Sequence, residues 1–397
     1  MEGYLQKMKA NIWKLYALDF LRGSILFIPI IIPFMLDTGL TMQEIFIIEG
    51  LYMLSAVLLE IPSGYVSDKW GRKNTCILAS TTSFIGIFFY AIGGDFLTFF
   101  IGAIALGFGT SFYSGTVEAL AYDTLLELDD TDSYKRISGN LAFTHFSTEA
   151  IMSVLGGFLV VYSLRLPALM TLIPYALACI LVPFLTEPRR HKLQEGRHLE
   201  VMWNITKESI IHNAPLRSII ILHSIIAFMG ISLFWFTQIY QTSVGLPLVY
   251  FGITHAVIVL LGAFASKYTY KLESIVDDRL LLTVIAATMF IAYMALGNIL
   301  SMWALVFFGV VRVAWGTLSP LTSNMINRMT TSDVRATVLS IRSFVFRSMF
   351  TVATPFLGYM ADVLTINQAI LITGCIGGVL LIIALWSISF VWNKIPQ

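Results

Sequence analysis

Long apolar runs follow one another along almost the whole chain, and only short polar stretches separate them. A helix that crosses a bilayer needs about 20 mostly apolar residues. Twelve runs approach this length, at residues 12–36, 43–66, 75–94, 96–122, 137–162, 165–185, 217–241, 248–270, 279–298, 300–327, 335–362 and 367–392. Because the runs are continuous and do not alternate with a period of two, they predict membrane helices and not the strands of a barrel.

The longest polar stretch, residues 186–216, divides these runs six and six. The pattern therefore predicts an all-α membrane protein with an N-terminal six-helix bundle at 1–185, a cytoplasmic linker at 186–216 and a C-terminal six-helix bundle at 217–397. Two halves joined in this way are typical of transporters that contain an internal repeat. Prolines such as Pro29 lie within the runs and are expected to bend their helices.

The composition agrees with a lipid-exposed surface. Of the 397 residues, 57% are hydrophobic and 12% are charged, whereas soluble domains carry roughly 25% charged residues. We therefore expect membrane lipid as a permanent partner. The net charge of +1 gives no general attraction for nucleic acid. Cys76, Cys179 and Cys375 lie in separate apolar runs without a histidine cluster, which predicts small buried side chains and no metal site.

Basic residues indicate the orientation. If both termini are cytoplasmic, most of the 25 lysines and arginines lie in cytoplasmic segments, and the outer loops hold only Arg165. This asymmetry is the one expected of membrane proteins. It predicts a multi-pass protein of the cell (inner) membrane with both termini inside the cell.

The segment after the second run reads Gly64-Tyr65-Val66-Ser67-Asp68-Lys69-Trp70-Gly71-Arg72-Lys73. It resembles the signature G-x-x-x-D-[RK]-x-G-R-[RK] of the major facilitator superfamily, and it lies where that family has it. The resemblance implies the major facilitator fold, with two pseudo-symmetric bundles of six helices, and alternating access, usually as a monomer. The fifth run lacks the Gly-Pro elements of drug–proton antiporters, which weakens an exporter assignment.

The two glycines of this motif, Gly64 and Gly71, are expected to allow a tight turn and close backbone approach. The resemblance implies that Asp68, Arg72 and Asp123 form a latch on the cytoplasmic side, where Lys73 adds a further charge. The alternative is that the basic residues only obey the positive-inside rule.

Ionisable residues inside membrane helices are costly, so each one is a functional hypothesis. They are Asp19, Arg22, Glu60, Glu118 and Glu149 in the first half, and Arg312, Arg342 and Arg347 in the second. In the resembled family the first, fourth, seventh and tenth helices line the central cavity. The expected cavity residues are Asp19, Arg22, Glu118, Arg312, Arg347, Trp235, Gln238 and Gln241. Alternatively, Asp19 and Arg22 form a neutral structural pair, and the aromatic residues near Trp235 form an interfacial belt.

Glu149 is the first candidate for proton coupling, because a carboxyl near mid-membrane is suited to binding and releasing protons. His145 lies one helical turn earlier and is a candidate relay, and Asp19 and Glu118 are further candidates. A static bridge from Glu149 to Arg347 is the alternative. His255, a lone histidine, is expected to pack or form a hydrogen bond. A contact between Glu60 and Arg342 is predicted when the cytoplasmic side is closed; alternatively each bonds within its own half.

The sequence thus predicts a secondary active transporter that moves a small organic solute, with proton-coupled efflux of drug-like or metabolite compounds as the first hypothesis. Proton-coupled uptake of a nutrient or organic anion is the alternative, and a receptor or scaffold without transport is a third. The chain has no nucleotide-binding loop of the form GxxxxGK[ST] and no catalytic constellation, so no cofactor and no enzymatic activity are expected.

Overall fold

The computed structural model describes residues 2–189, 207 and 213–394. In these ranges the chain forms thirteen α-helices and no strand. They are α1 Glu2–Gly23, α2 Ile31–Asp37, α3 Met42–Trp70, α4 Arg72–Ile92, α5 Phe96–Glu127, α6 Tyr134–Leu159, α7 Leu166–Leu181, α8 Ala214–Ser243, α9 Val249–Glu273, α10 Asp278–Asn298, α11 Val306–Met329, α12 Ser332–Val363 and α13 Ile366–Val391. The short α2 continues the crossing that α1 begins. The twelve predicted crossings are therefore confirmed.

The first crossing is broken between α1 and α2. Pro29 lies in a 3-10 turn, Ile28–Ile30, since proline lacks an N–H group and disfavours helical geometry in the residue before it. The break leaves the backbone N–H of Leu26 without a helical partner, and Thr171 of α7 accepts its hydrogen bond at 3.1 Å. The buried polar backbone is thereby satisfied from a neighbouring helix.

Ten crossings in the described part of the chain are apolar enough to be recognised by composition alone. The other two are α6 and α12. Each carries ionisable residues within its length, among them Glu149 in α6, and Arg342 and Arg347 in α12. Placing a charged side chain inside a membrane costs free energy. We therefore expect functional residues in these two helices.

The chain folds into two compact units. Unit 1 comprises Met1–Gln194 and Pro247–Ala256, and unit 2 comprises Glu195–Leu246 and Val257–Gln397. The first turns of α9 therefore belong to unit 1. Most of the predicted linker, 186–216, lies outside the described residues, so its boundaries stay a prediction.

Small residues hold the helices of unit 1 close together. A Cβ on Gly107 of α5 would lie 2.7 Å from the carbonyl oxygen of Tyr52 in α3, and a Cβ on Gly109 would lie 2.9 Å from the carbonyl oxygen of Ala79 in α4. Helix packing in membranes depends on such approaches, because lipid gives no hydrophobic driving force between helices.

Unit 2 is organised around α8, which is buried along most of its length. Tyr293 of α10 donates a hydrogen bond of 2.8 Å to the Met229 carbonyl of α8, and Tyr240 of α8 donates one of 2.5 Å to the Ile299 carbonyl. These bonds give two buried tyrosines partners and connect α8 to α10 and to the residue that follows it.

Candidate functional site

Asp19 and Arg22 of α1 meet the same aromatic side chain. The hydroxyl of Tyr113 in α5 donates a hydrogen bond of 2.6 Å to Asp19 Oδ1. The guanidinium carbon of Arg22 lies 3.2 Å from the centroid of the Tyr113 ring. No ion pair joins Asp19 to Arg22 among the contacts of the described residues. Asp19 and Arg22 therefore form no direct ion pair in the described residues, and Tyr113 contacts Asp19 through its hydroxyl and Arg22 through its ring.

The backbone of α1 approaches α6 closely at this point. A Cβ on Gly23 would lie 2.8 Å from the carbonyl oxygen of His145. His145 thereby lies within electrostatic range of Asp19, Arg22 and Glu149. Three residues predicted for proton coupling, Asp19, His145 and Glu149, are thus brought together in unit 1.

Glu149 has a second histidine partner. His255 Nε2, in the first turns of α9, lies 3.1 Å from Glu149 Oε1, and both side chains are largely buried. The sequence predicts a packing or hydrogen-bonding role for His255, and the structure places that bond on the candidate proton carrier. The bridge from Glu149 to Arg347 stays a prediction, because Arg347 belongs to unit 2.

Glycines create the contact between α6 and α9. A Cβ on Gly157 would lie 2.6 Å from the carbonyl oxygen of Val249 and 3.1 Å from the Gly252 nitrogen. Gly252 in turn packs against the backbone of Ser153. Since Gly252 and His255 are three residues apart on one helical face, this packing sets the position of His255 against Glu149.

Glu118 lies on α5 with an exposed side chain. It is five residues beyond Tyr113 and therefore points away from the side of α5 that carries Tyr113. The structure does not bring Glu118 into the Asp19–Tyr113 cluster.

The motif residues form a connected set. Arg72 Nη1 lies 2.7 Å from Asp68 Oδ1, and Arg72 Nε lies 3.3 Å from Asp123 Oδ2. Arg72 also donates to the hydroxyl of Ser67 at 2.9 Å. Asp68, Arg72 and Asp123 are thus joined through ion pairs of Arg72, and their role as a latch stays a prediction.

The motif is almost entirely helical. Helix α3 runs to Trp70 and α4 begins at Arg72, so Gly71 alone makes the turn, with φ of +104°. Gly64 lies inside α3, and an added Cβ would meet nothing within 4 Å. The expected turn or close approach at Gly64 is therefore wrong for this structure, because the helix continues through it.

Glu187 completes this end of unit 1. Its carboxylate accepts hydrogen bonds from the backbone N–H groups of Arg72 at 2.9 Å and Lys73 at 2.7 Å. A carboxylate at the start of a helix satisfies unpaired donors and interacts favourably with the helix dipole. The start of the linker is thereby attached to the motif, which the sequence does not predict.

Unit 2 has a corresponding ion pair with the charges exchanged. In unit 1, Arg72 begins α4 and Asp123 lies near the end of α5. In unit 2, Asp278 begins α10 and pairs with Arg328 at the end of α11. The repeat therefore keeps the ion pair while the signature glycines are absent from the second copy.

Arg342 is buried in unit 2 among hydroxyl groups. Its Nη1 donates to the hydroxyls of Thr322 and Ser323, each at 2.9 Å, and approaches the Ser319 carbonyl at 3.3 Å. His223 Nδ1 lies 2.9 Å from the same Thr322 hydroxyl. These contacts are within unit 2; the predicted contact with Glu60 of unit 1 stays a prediction.

The remaining predicted cavity residues also lie in unit 2. The Arg312 guanidinium lies 4.8 Å from the Trp315 ring centroid. Trp235, Gln238 and Gln241 are buried, with 7%, 4% and 2% exposed, whereas side chains of an aromatic belt face the interface. Arg347 is half-buried on α12.

Glu49 of α3 is a further buried carboxyl that is not among the predicted site residues. Its side chain is 5% exposed and lies within electrostatic range of Tyr90, and its Oε1 atom has no hydrogen-bond partner among the described residues. The signal was present, because Glu49 is an acidic residue within the second apolar run. In the described ranges, no group of three or more His, Cys, Asp or Glu side chains could hold a metal ion.

Twelve membrane crossings, an ion pair found in both units and buried charges within the helices are typical of membrane transporters built from two related bundles. The chain belongs to the Major Facilitator Superfamily, whose family model matches residues 15–353.

Among curated proteins, the chain is 26% identical over 149 residues to the lysophospholipid transporter LplT of Photorhabdus laumondii, a match that covers 37% of this chain and 36% of that relative. The chain thus spans about a third of that protein's length in the match. Solved structures of the same fold include a point mutant of the nucleoside transporter NupG (TM-score 0.81, 12% identity, 96% of this chain and 99% of that chain). They also include a D-xylose-proton symporter (TM-score 0.74, 14% identity, 99% and 98%).

Proposed function

We propose that the chain is a proton-coupled transporter that takes up an amphipathic organic solute with an anionic group. The observation that carries this proposal is the position of Arg22, stacked on Tyr113 while the Tyr113 hydroxyl engages Asp19. The guanidinium lies on an aromatic face and is not paired with the nearby carboxylate. It can therefore bind a carboxylate or phosphate group of a solute.

The same arrangement supplies a reason for coupling. A solute anion at Arg22 adds negative charge beside Asp19, and two neighbouring negative charges favour protonation of one carboxylate. His145, Glu149 and His255 then offer a series of groups for that proton. Binding of the solute favours binding of the proton, and the reverse also holds. Both are therefore carried together when the binding site opens alternately to the two sides of the membrane.

Proton-coupled efflux of a cationic or drug-like compound is the second candidate. The exposed Glu118 of α5 favours it, because a carboxylate that a solute can reach binds either a cation or a proton. In that case the solute and the proton compete for the same carboxylate, and they move in opposite directions.

The match to LplT makes a lysophospholipid the first solute to test for either candidate function.

The proposed setting is the cell (inner) membrane, with both termini cytoplasmic and the chain acting as a monomer. The charge asymmetry of the sequence supports this orientation. Cysteine labelling from outside the cell at the α4–α5 turn, residues 93–95, and at the α3–α4 turn tests it. Labelling of the second position alone would contradict the orientation.

The function is tested by measuring the movement of lysophosphatidylglycerol across the membrane of proteoliposomes that contain the protein. A pH gradient is imposed in each direction in turn. Uptake driven by external acid supports symport, and release driven by external acid supports efflux. Arg22→Gln should abolish solute movement under both gradients. Arg136→Gln, which removes an exposed arginine of the same unit, is the matched control. Full flux in Arg22→Gln would contradict the proposed anion site.

A further inference from the structure

An open cleft of about 700 Å³ lies at the end of unit 1 that carries the α3–α4 turn. Lysines contributed by two helices surround it, together with two aromatic side chains and one carboxylate: Lys7 and Lys14 of α1, Lys73 of α4, Trp13, Phe184 and Glu187. None of these residues belongs to the Asp19–Tyr113 cluster or to the proton series, so the cleft is separate from the proposed transport site.

The cleft has an excess of positive charge. Glu187 is its one acidic lining residue, and both of its carboxylate oxygens accept backbone hydrogen bonds at the start of α4. Lys14 donates one hydrogen bond of 2.6 Å to the Phe184 carbonyl, and an ammonium group has three protons to donate. The lysines therefore retain donors for a further acceptor.

The aromatic residues place this cleft at a lipid boundary. Trp13 is 57% exposed and Phe184 is 65% exposed, although both lie in segments that cross the membrane. Exposed aromatic side chains next to lysines at the ends of membrane helices are typical of the interface between headgroups and acyl chains.

We propose that this cleft binds an anionic phospholipid. The phosphate of the headgroup lies among Lys7, Lys14 and Lys73, and the acyl chains follow the apolar surface of α1 and α7 past Trp13 and Phe184. Basic pockets beside membrane helices attract acidic headgroups in this way. A soluble phosphate would use the lysines and would gain nothing from the exposed aromatic residues, which is why the lipid is the occupant.

Native mass spectrometry of the full chain, released from mixed micelles with equal amounts of phosphatidylglycerol and phosphatidylcholine, tests the proposal. Wild type should retain phosphatidylglycerol preferentially. The variant Lys7→Gln/Lys14→Gln/Lys73→Gln should retain about tenfold less, because each lysine contributes to the attraction. The control Lys9→Gln/Lys267→Gln/Lys271→Gln removes the same charge at exposed positions outside the cleft and should retain as much as wild type.

Two further measurements distinguish binding of a phospholipid from binding of free phosphate. Trp13→Ala should lower retention while keeping all charges, and millimolar inorganic phosphate should not displace the lipid. If the cleft triple variant does not fold, Lys7→Gln and Lys73→Gln are measured singly and should each lower retention. Equal retention of phosphatidylglycerol by the cleft and control variants, or its displacement by phosphate, would overturn the proposal.

Discussion

The hydroxyl of Tyr113 donates a hydrogen bond of 2.6 Å to Asp19 Oδ1, and the ring of the same tyrosine lies under the Arg22 guanidinium. One side chain from α5 thus contacts both charges of α1 through different parts of its structure. The bond holds a buried carboxylate, and the ring holds a cation by a cation–π interaction.

Tyr113→Phe separates these two contacts. The ring and its interaction with Arg22 remain, but the hydrogen bond to Asp19 is lost, and a hydrogen bond to a charged group contributes about 1.5–3 kcal/mol. We expect pH-driven flux to fall by about tenfold or more, while solute binding changes little. Flux and binding are measured on the same preparation. Wild-type flux in Tyr113→Phe would show that the hydrogen bond has no part in coupling.

Gly157→Ala tests whether the contact between α6 and α9 positions His255. The new Cβ would lie 2.6 Å from the Val249 carbonyl oxygen, so backbone must move and the His255–Glu149 distance of 3.1 Å must change. We expect loss of pH-driven flux and a lower melting temperature in detergent.

Gly139→Ala is the control for this variant. It lies in the same helix, and its Cβ would meet nothing within 4 Å. Alanine is also the better helix former, so we expect normal flux and unchanged or higher stability. If Gly157→Ala behaves like Gly139→Ala, the glycine contact does not position the histidine.

The two motif glycines should respond in opposite ways to alanine. Gly71 adopts φ of +104°, where a side chain is strained by about 1–3 kcal/mol. Gly64 lies in helical conformation with open space around it. Thermal unfolding in detergent should show a clear loss for Gly71→Ala and no loss for Gly64→Ala. A clear loss of stability in Gly64→Ala would mean that its glycine serves a contact absent from this conformation.

The helices could be predicted from sequence because lipid imposes a length on every apolar run. Even α6 and α12, whose charges hide them from a composition test, are recognisable from their apolar remainder. A bend at Pro29 follows from the sequence, but the hydrogen bond from Leu26 to Thr171 and the helical form of the motif do not. Each of these features depends on the hydrogen bonds that backbone groups form with residues distant in sequence.

The candidate site was predictable only in part. Asp19, Arg22 and Glu149 are visible because a charge in an apolar run is conspicuous. Their partners are not, because Tyr113 and His255 are ordinary residues of helices distant in sequence. That Asp19 and Arg22 engage Tyr113 instead of each other also required the structure, since a spacing of three residues equally allows a direct pair.

In the proposed mechanism, a proton moves with the solute by way of Glu149. Proteoliposomes with a pH-sensitive dye inside and radiolabelled lysophosphatidylglycerol outside measure both movements at once. We expect internal acidification that accompanies solute entry in wild type and in the control Asp37→Asn, and solute exchange without acidification in Glu149→Gln. Solute entry without any proton movement in wild type, or undiminished acidification in Glu149→Gln, would contradict this mechanism.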